Sequence, residues 1–129
     1  MRLRSCELDR CCSMGKAQRV KGANFEREIA RLLREVLPGC EAKRALGQYR
    51  GGAEAPDVSI PGLFWVECKV GKAPPLMRAL NQARADCPKG QGLTPLAIVK
   101  QDRHKPVVLV ELDDFLELLR EWWALRHDP

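Results

Sequence analysis

Pro56-Asp57-Val58-Ser59-Ile60-Pro61-Gly62-Leu63-Phe64-Trp65-Val66-Glu67-Cys68-Lys69-Val70 is the stretch on which the reading of this chain turns. Val, Ile, Phe and Trp on either side of a Pro61-Gly62 turn read as two adjacent strands, Asp57 to Ile60 and Leu63 to Val70. Glu67-Cys68-Lys69 interrupts the apolar run of the second strand, and burying two charges there costs several kcal/mol unless they find partners. Strand side chains alternate between faces, so Glu67 and Lys69 share one face while the Cys68 thiol packs on the other. From the tripeptide alone, a surface ion pair on an edge strand is the commoner arrangement. Asp57 changes the balance. A second carboxylate on the adjacent strand makes an oxygen-rich site suited to Mg²⁺ or Mn²⁺, hard cations that prefer carboxylates and water to thiols.

Register is the test. If Ile60 pairs with Leu63 around a two-residue turn, Asp57 lies opposite Val66 and on the other face from Glu67. An odd-length connection or a bulge puts the two carboxylates together, and the metal-site reading therefore predicts one. Pro-Gly favours a type II turn, which fits poorly as a two-residue hairpin loop and leans the same way.

Upstream, apolar residues at 25, 29, 32, 33, 36 and 37 form one helical stripe ended by Pro38-Gly39, so the spacing predicts a first helix over 21–37. At about 100° per residue, Glu26 flanks the buried stripe and reaches toward a site, whereas Glu28 lies toward solvent beside Arg27, Arg31 and Arg34. Cys40 to Leu46 is counted as a short strand, followed by a flexible Gly47–Ala55 loop carrying Tyr49 and Arg50. Downstream, Leu76, Leu80, Ala83 and Cys87 predict a second helix over 75–87. Leu93–Val99 and Val107–Leu112 read as strands in the centre of a sheet, and Leu112 to Trp123 as a last amphipathic helix. Trp122 and Trp123 are adjacent, so one helix face cannot bury both; one is expected in the core and the other on a partner surface. The fold class is α/β, ordered α-β-β-β-α-β-β-α, with a mixed sheet of about five strands flanked by helices.

Length and charge bound the rest. A chain of 129 residues, 45% hydrophobic, supports one core, placed at 21–129, behind a basic extension over 1–20 expected to be disordered. Cys6, Cys11 and Cys12 in that extension lack a fourth ligand for zinc. With no apolar run of the ~20 residues a membrane span needs and no secretion signal, the expectations are a cytoplasmic protein, no membrane partner and reduced cysteines. Net charge is +5, split as +6 over residues 1–50 (twelve basic, six acidic), +3 over 51–110 (eight, five) and −4 over 111–129 (two, six). The basic part suits a polyanion. His104 and His127 read as surface residues.

Pro56-Asp57, nine residues, then Glu67-Cys68-Lys69 resembles the signature of the PD-(D/E)xK nuclease superfamily, whose core is restriction-endonuclease-like. With Lys21-Gly22-x-x-x-Glu26-Arg27-Glu28 and Leu96-Ala97-Ile98-Val99-Lys100, the match over roughly residues 21–112 resembles the archaeal-type Holliday junction resolvases of prokaryotes or their phages. The resemblance implies a Mg²⁺-dependent, structure-selective DNA endonuclease, tolerant of Mn²⁺, resolving four-way junctions in recombination or repair without an organic cofactor. It implies a homodimer, because symmetric cuts need two sites about a two-fold axis. Glu26, Asp57, Glu67 and Lys69 would be the catalytic set, with Asp57, Glu67, the Cys68 carbonyl and Glu26 holding metal. Arg44 and Lys100 would contact DNA; Lys21, Tyr49, Arg50, Lys72, Arg78 and Gln82 complete the expected DNA surface. The family usually carries a serine before the aspartate, and no Ser or Thr lies between Arg44 and Asp57, leaving that contact absent or to Tyr49 or Arg50. The alternatives are another nuclease of the superfamily, acting on flaps, ends or particular sites, and a catalytically silent DNA-binding module.

Overall fold

The computed structural model describes residues 5–44, 56–60 and 62–128, and the side chains from residue 15 onward. In chain order the elements are α1 (Ser5–Val36), β1 (Lys43–Arg44), β2 (Val58–Ile60), β3 (Phe64–Gly71), α2 (Leu76–Asp86), β4 (Thr94–Gln101), β5 (Val107–Val110) and α3 (Leu112–His127). The strands form one sheet in the order β1-β2-β3-β4-β5. Only β3 and β4 are parallel, joined through α2; the other three pairings are antiparallel. This α/β fold has the element order and mixed five-stranded sheet expected from the sequence.

Alternation along β3 divides the core between the two faces of the sheet. Val66 and Cys68 join Val58, Ile60, Leu96 and Ile98 beneath Phe25 and Ile29 of α1. Ala97 and Val99 face the other way, packing against Ala79 and Leu80 of α2. Small alanines at 79 and 83, both fully buried, let that helix come close to the sheet.

Several boundaries differ from expectation. Residues 5–20, expected to precede the first helix, form its first turns, carrying the backbone of Cys6, Cys11 and Cys12. The segment has no proline to stop a helix, so α1 continues past the apolar stripe, and residues 15–20 stay exposed. β1 is shorter than 40–46, with the part from Ala45 outside the described residues. α2 begins and ends one residue inside its expected span. β5 stops at Val110 because Glu111 caps α3, and it is an edge strand rather than a central one, with Val107 and Val108 exposed. Neither tryptophan of α3 is in the core: Trp122 is 49% exposed and Trp123 59%. No described helix is long and apolar enough to cross a membrane.

Candidate active site

The connection between β2 and β3 settles the register. Ile60 pairs with Phe64, Ser59 with Trp65 and Val58 with Val66, so three residues, 61–63, link the strands. Gly62 has φ of 78°, and the Leu63 N–H donates to the Ile60 carbonyl at 3.3 Å, the marks of a type II turn. Asp57 follows just beyond the last pair, near enough to Glu67 for its charge to act on that carboxyl. The odd-length connection expected from a shared carboxylate site is therefore present.

Backbone hydrogen bonds hold Asp57 there. Its N–H donates to the Val66 carbonyl at 2.9 Å, and its Oδ2 accepts the Cys68 N–H at 2.8 Å. The N–H and C=O of one strand residue point to the same edge, so the Cys68 carbonyl also looks toward Asp57. The Cys68 thiol faces α1 in the core. Burial first, then the nearby charges of Asp57, Glu26 and Glu67, push its pKa upward, making it a packing group rather than a nucleophile.

Glu67 is the one buried charged side chain among the described residues, 4% exposed. Lys69 Nζ lies 3.1 Å from its Oε1, on the shared face that strand alternation dictates. Burial, reinforced by the Asp57 charge, pushes the Glu67 pKa up to about 7 despite Lys69. Asp86 adds to that repulsion. It is a residue the sequence reading missed, although its position seven after Ala79 and three after Ala83 puts it on the buried stripe of α2.

Glu26 stands on the other side of Asp57. Desolvation raises its pKa, and the Asp57 charge adds to the rise. Arg44 opposes both, its Nε donating to Glu26 Oε2 at 2.5 Å. Arg44, expected as a DNA contact, is thus occupied as the partner of Glu26. Glu28 pairs with Arg31 on the exposed face of α1, as its position on the helical wheel indicates.

The oxygen donors suit a hard cation. Mg²⁺ is typically held by one or two carboxylates while keeping several waters, and Asp57, Glu67 and the Cys68 carbonyl offer that set with no thiolate or imidazole. Among the described residues, no group of three or more His, Cys, Asp or Glu side chains is placed to hold a metal ion. Glu26, turned to Arg44, remains beside the pair rather than completing it.

Basic residues gather where β3 and β4 end. Lys21 of α1 pairs with Asp102 at 2.5 Å, and the Asp102 N–H donates to the Gly71 carbonyl at 2.8 Å. The Lys21 bond, then Lys100 and Lys72, hold the Asp102 carboxyl below its usual range. Three expected DNA contacts, Lys21 of α1, Lys72 after β3 and Lys100 of β4, thus lie around Asp102, which the sequence reading left unremarked. Arg78 and Gln82 are exposed on α2, while Tyr49 and Arg50 lie outside the described residues. His104 and His127 are exposed, and Cys40, Cys68 and Cys87 carry free thiols.

Compared with protein-family models, curated proteins and solved structures, the chain matches none.

Proposed function

We propose that this protein is a Mg²⁺-dependent, structure-selective DNA endonuclease of the PD-(D/E)xK kind, cutting four-way junctions as a homodimer. The observation that carries the reading is the carboxylate pair at the end of β2 and on β3, Asp57 beside Glu67, with Lys69 3.1 Å from Glu67. A carboxylate pair beside an ammonium suits metal-assisted hydrolysis of a phosphodiester.

When bound, Mg²⁺ would polarise a phosphate oxygen and acidify a water. Asp57 and Glu67 would supply its anionic ligands, relieving the repulsion that keeps the Glu67 pKa high. The Cys68 N–H fixes the orientation of Asp57. Lys69, anchored by Glu67, would hold the attacking water by hydrogen bonding and offset charge developing on the phosphate. Glu26 would orient a second water, with Arg44 limiting its rotamers. Lys21, Lys72 and Lys100 would draw the DNA backbone toward the site. Water would attack phosphorus directly as the bond to the leaving ester oxygen breaks and that oxygen takes a proton from solvent, so no covalent enzyme intermediate is required.

Gel cleavage of a labelled four-way junction beside linear duplex, single strand and flap, with Mg²⁺ or EDTA, tests the reading. Paired symmetric nicks confined to the junction and lost with Glu67→Ala are expected. Metal-dependent cutting of the other substrates equally well would overturn junction selectivity and keep the nuclease. Tight DNA binding without cutting under any metal would favour the silent module.

A further inference from the structure

A pocket of about 310 Å³ opens where the turn between β2 and β3 meets the loop that follows α2, lined chiefly by Ser59, Ile60, Phe64, Trp65, Gln91 and Leu93. Ser59 and Trp65 are a cross-strand pair and share one face of the sheet. Alternation puts Glu67 on that same face, two residues beyond Trp65, so about 7 Å of strand separates them. Pro56, the neighbour of Asp57, also lines the pocket. The pocket therefore adjoins the candidate site along both strands.

Trp65 is 5% exposed, and its indole Nε1–H is the one buried side-chain polar group without a hydrogen-bond partner among the described residues. An indole N–H can only donate, and a buried donor left unpaired is costly, so the pocket wants an acceptor from outside the chain. The rest of the lining decides which kind. Ser59 and Gln91 can each donate and accept, Ile60, Phe64 and Leu93 are apolar, and no ionised side chain lines the pocket. A phosphate or carboxylate would lose its water there without gaining a counter-charge. A flat neutral ring with carbonyls on its edge can bury its faces against the aromatics while Ser59, Gln91 and Trp65 address its edge.

We propose that this pocket is a nucleobase subsite: it takes the base of the nucleotide next to the phosphate held at Asp57 and Glu67, and the Trp65 Nε1–H donates to a carbonyl of that base. The inference rests on the nuclease reading for where that phosphate lies; the pocket's fit to a neutral, carbonyl-bearing ring does not. A base inside a duplex is stacked and paired, and withdrawing it costs free energy that is smaller for a nucleotide at a branch point, gap or flap. The pocket thus favours unstacked nucleotides, which gives structure selectivity a source within a single protomer.

Tryptophan fluorescence reads the pocket once Trp122 and Trp123, both about half exposed on α3, are replaced by phenylalanine, leaving Trp65 as the only indole. The probes are a dT octamer, whose bases carry carbonyl acceptors, and an octamer of the same backbone without bases, each titrated at low salt in EDTA so that nothing is cut. Their phosphate charge is equal, so any difference belongs to the base. Saturable quenching of Trp65 by dT and none by the abasic strand is expected, with dT bound about 5-fold or more tighter. Should the phenylalanine pair disturb the fold, anisotropy of the labelled strands on the wild type gives the same comparison. Trp65→Phe keeps a ring and removes the N–H, and should weaken dT binding by about 2- to 10-fold while leaving the abasic octamer unchanged. Gln91→Ala, at an exposed position, should act in the same direction and decides the matter if Trp65→Phe unfolds. Equal affinity for the two strands, Trp65 emission indifferent to dT, or equal quenching by the abasic strand would overturn the inference. Cleavage scored separately keeps the two claims apart: junction cutting without base-dependent binding sinks the pocket alone, and base-dependent quenching in a protein that cuts no DNA under any metal sinks the nuclease alone.

Discussion

Glu67→Gln should make the metal-free protein more stable at neutral and alkaline pH, by an amount the structure sets. The Glu67 pKa is raised from its ordinary 4.5 to about 7 by burial and by the Asp57 charge. A pKa raised in the folded state leaves stability fully present below about 4.5 and lost as pH climbs through about 7, because folding then has to bury an ionised carboxylate. At 1.36 kcal/mol per pH unit of displacement, the loss approaches about 3 kcal/mol above pH 8. Glutamine keeps the shape and carries no charge, so the variant escapes that loss. Urea unfolding of both proteins in EDTA, from pH 4.5 to 8.5, measures it. The gap between them should widen by about 3 kcal/mol, or about 1.5 M in midpoint at an m-value of about 2 kcal/mol/M. Added Mg²⁺ should narrow the gap at pH 8 by stabilising the wild type. Stability curves that run parallel across this range would refute the claim that Glu67 is a buried carboxylate facing Asp57.

Other perturbations have equally definite outcomes. Arg44→Ala leaves Glu26 without its guanidinium partner, and should cost about 1–3 kcal/mol at pH 8 and less as the pH falls, because burial raises the Glu26 pKa and favours the neutral carboxyl; thermal melts across the acid range measure the difference. Gly62→Ala forces a side chain onto a backbone with φ of 78° and should cost about 1 kcal/mol in chemical unfolding, with cleavage reduced because this turn sets the register of β2 against β3. Lys72→Ala should weaken DNA binding across sequences and lower the slope of log K against log salt by about 1 in anisotropy titrations; an unchanged slope removes Lys72 from the phosphate contacts.

The site was legible where alternation and turn chemistry act locally. Glu67 and Lys69 share a face because strand side chains alternate, and the Pro61-Gly62 pair pointed to the odd connection that brings Asp57 alongside. Glu26 was legible as the flank of an apolar stripe, but its bond to Arg44 was not, because that contact depends on how β1 meets α1. Asp86 and Asp102 were missed because their roles arise from tertiary neighbours, Glu67 for one and the three lysines for the other. Periodicity also identified the stripe of α3 without saying which way it faces. The same spacing serves a core and an interface equally well, and β5 likewise carries a central strand's composition at an edge.

Single-turnover cleavage of a four-way junction, with Mg²⁺ varied and compared between wild type, Asp57→Asn and Glu67→Gln, tests the central claim most directly. The account predicts wild-type cutting that rises with Mg²⁺ and stops in EDTA, and rates at least about 100-fold lower in both variants at retained junction affinity. Cutting that persists in EDTA, or variants that cut as fast as the wild type, would contradict it.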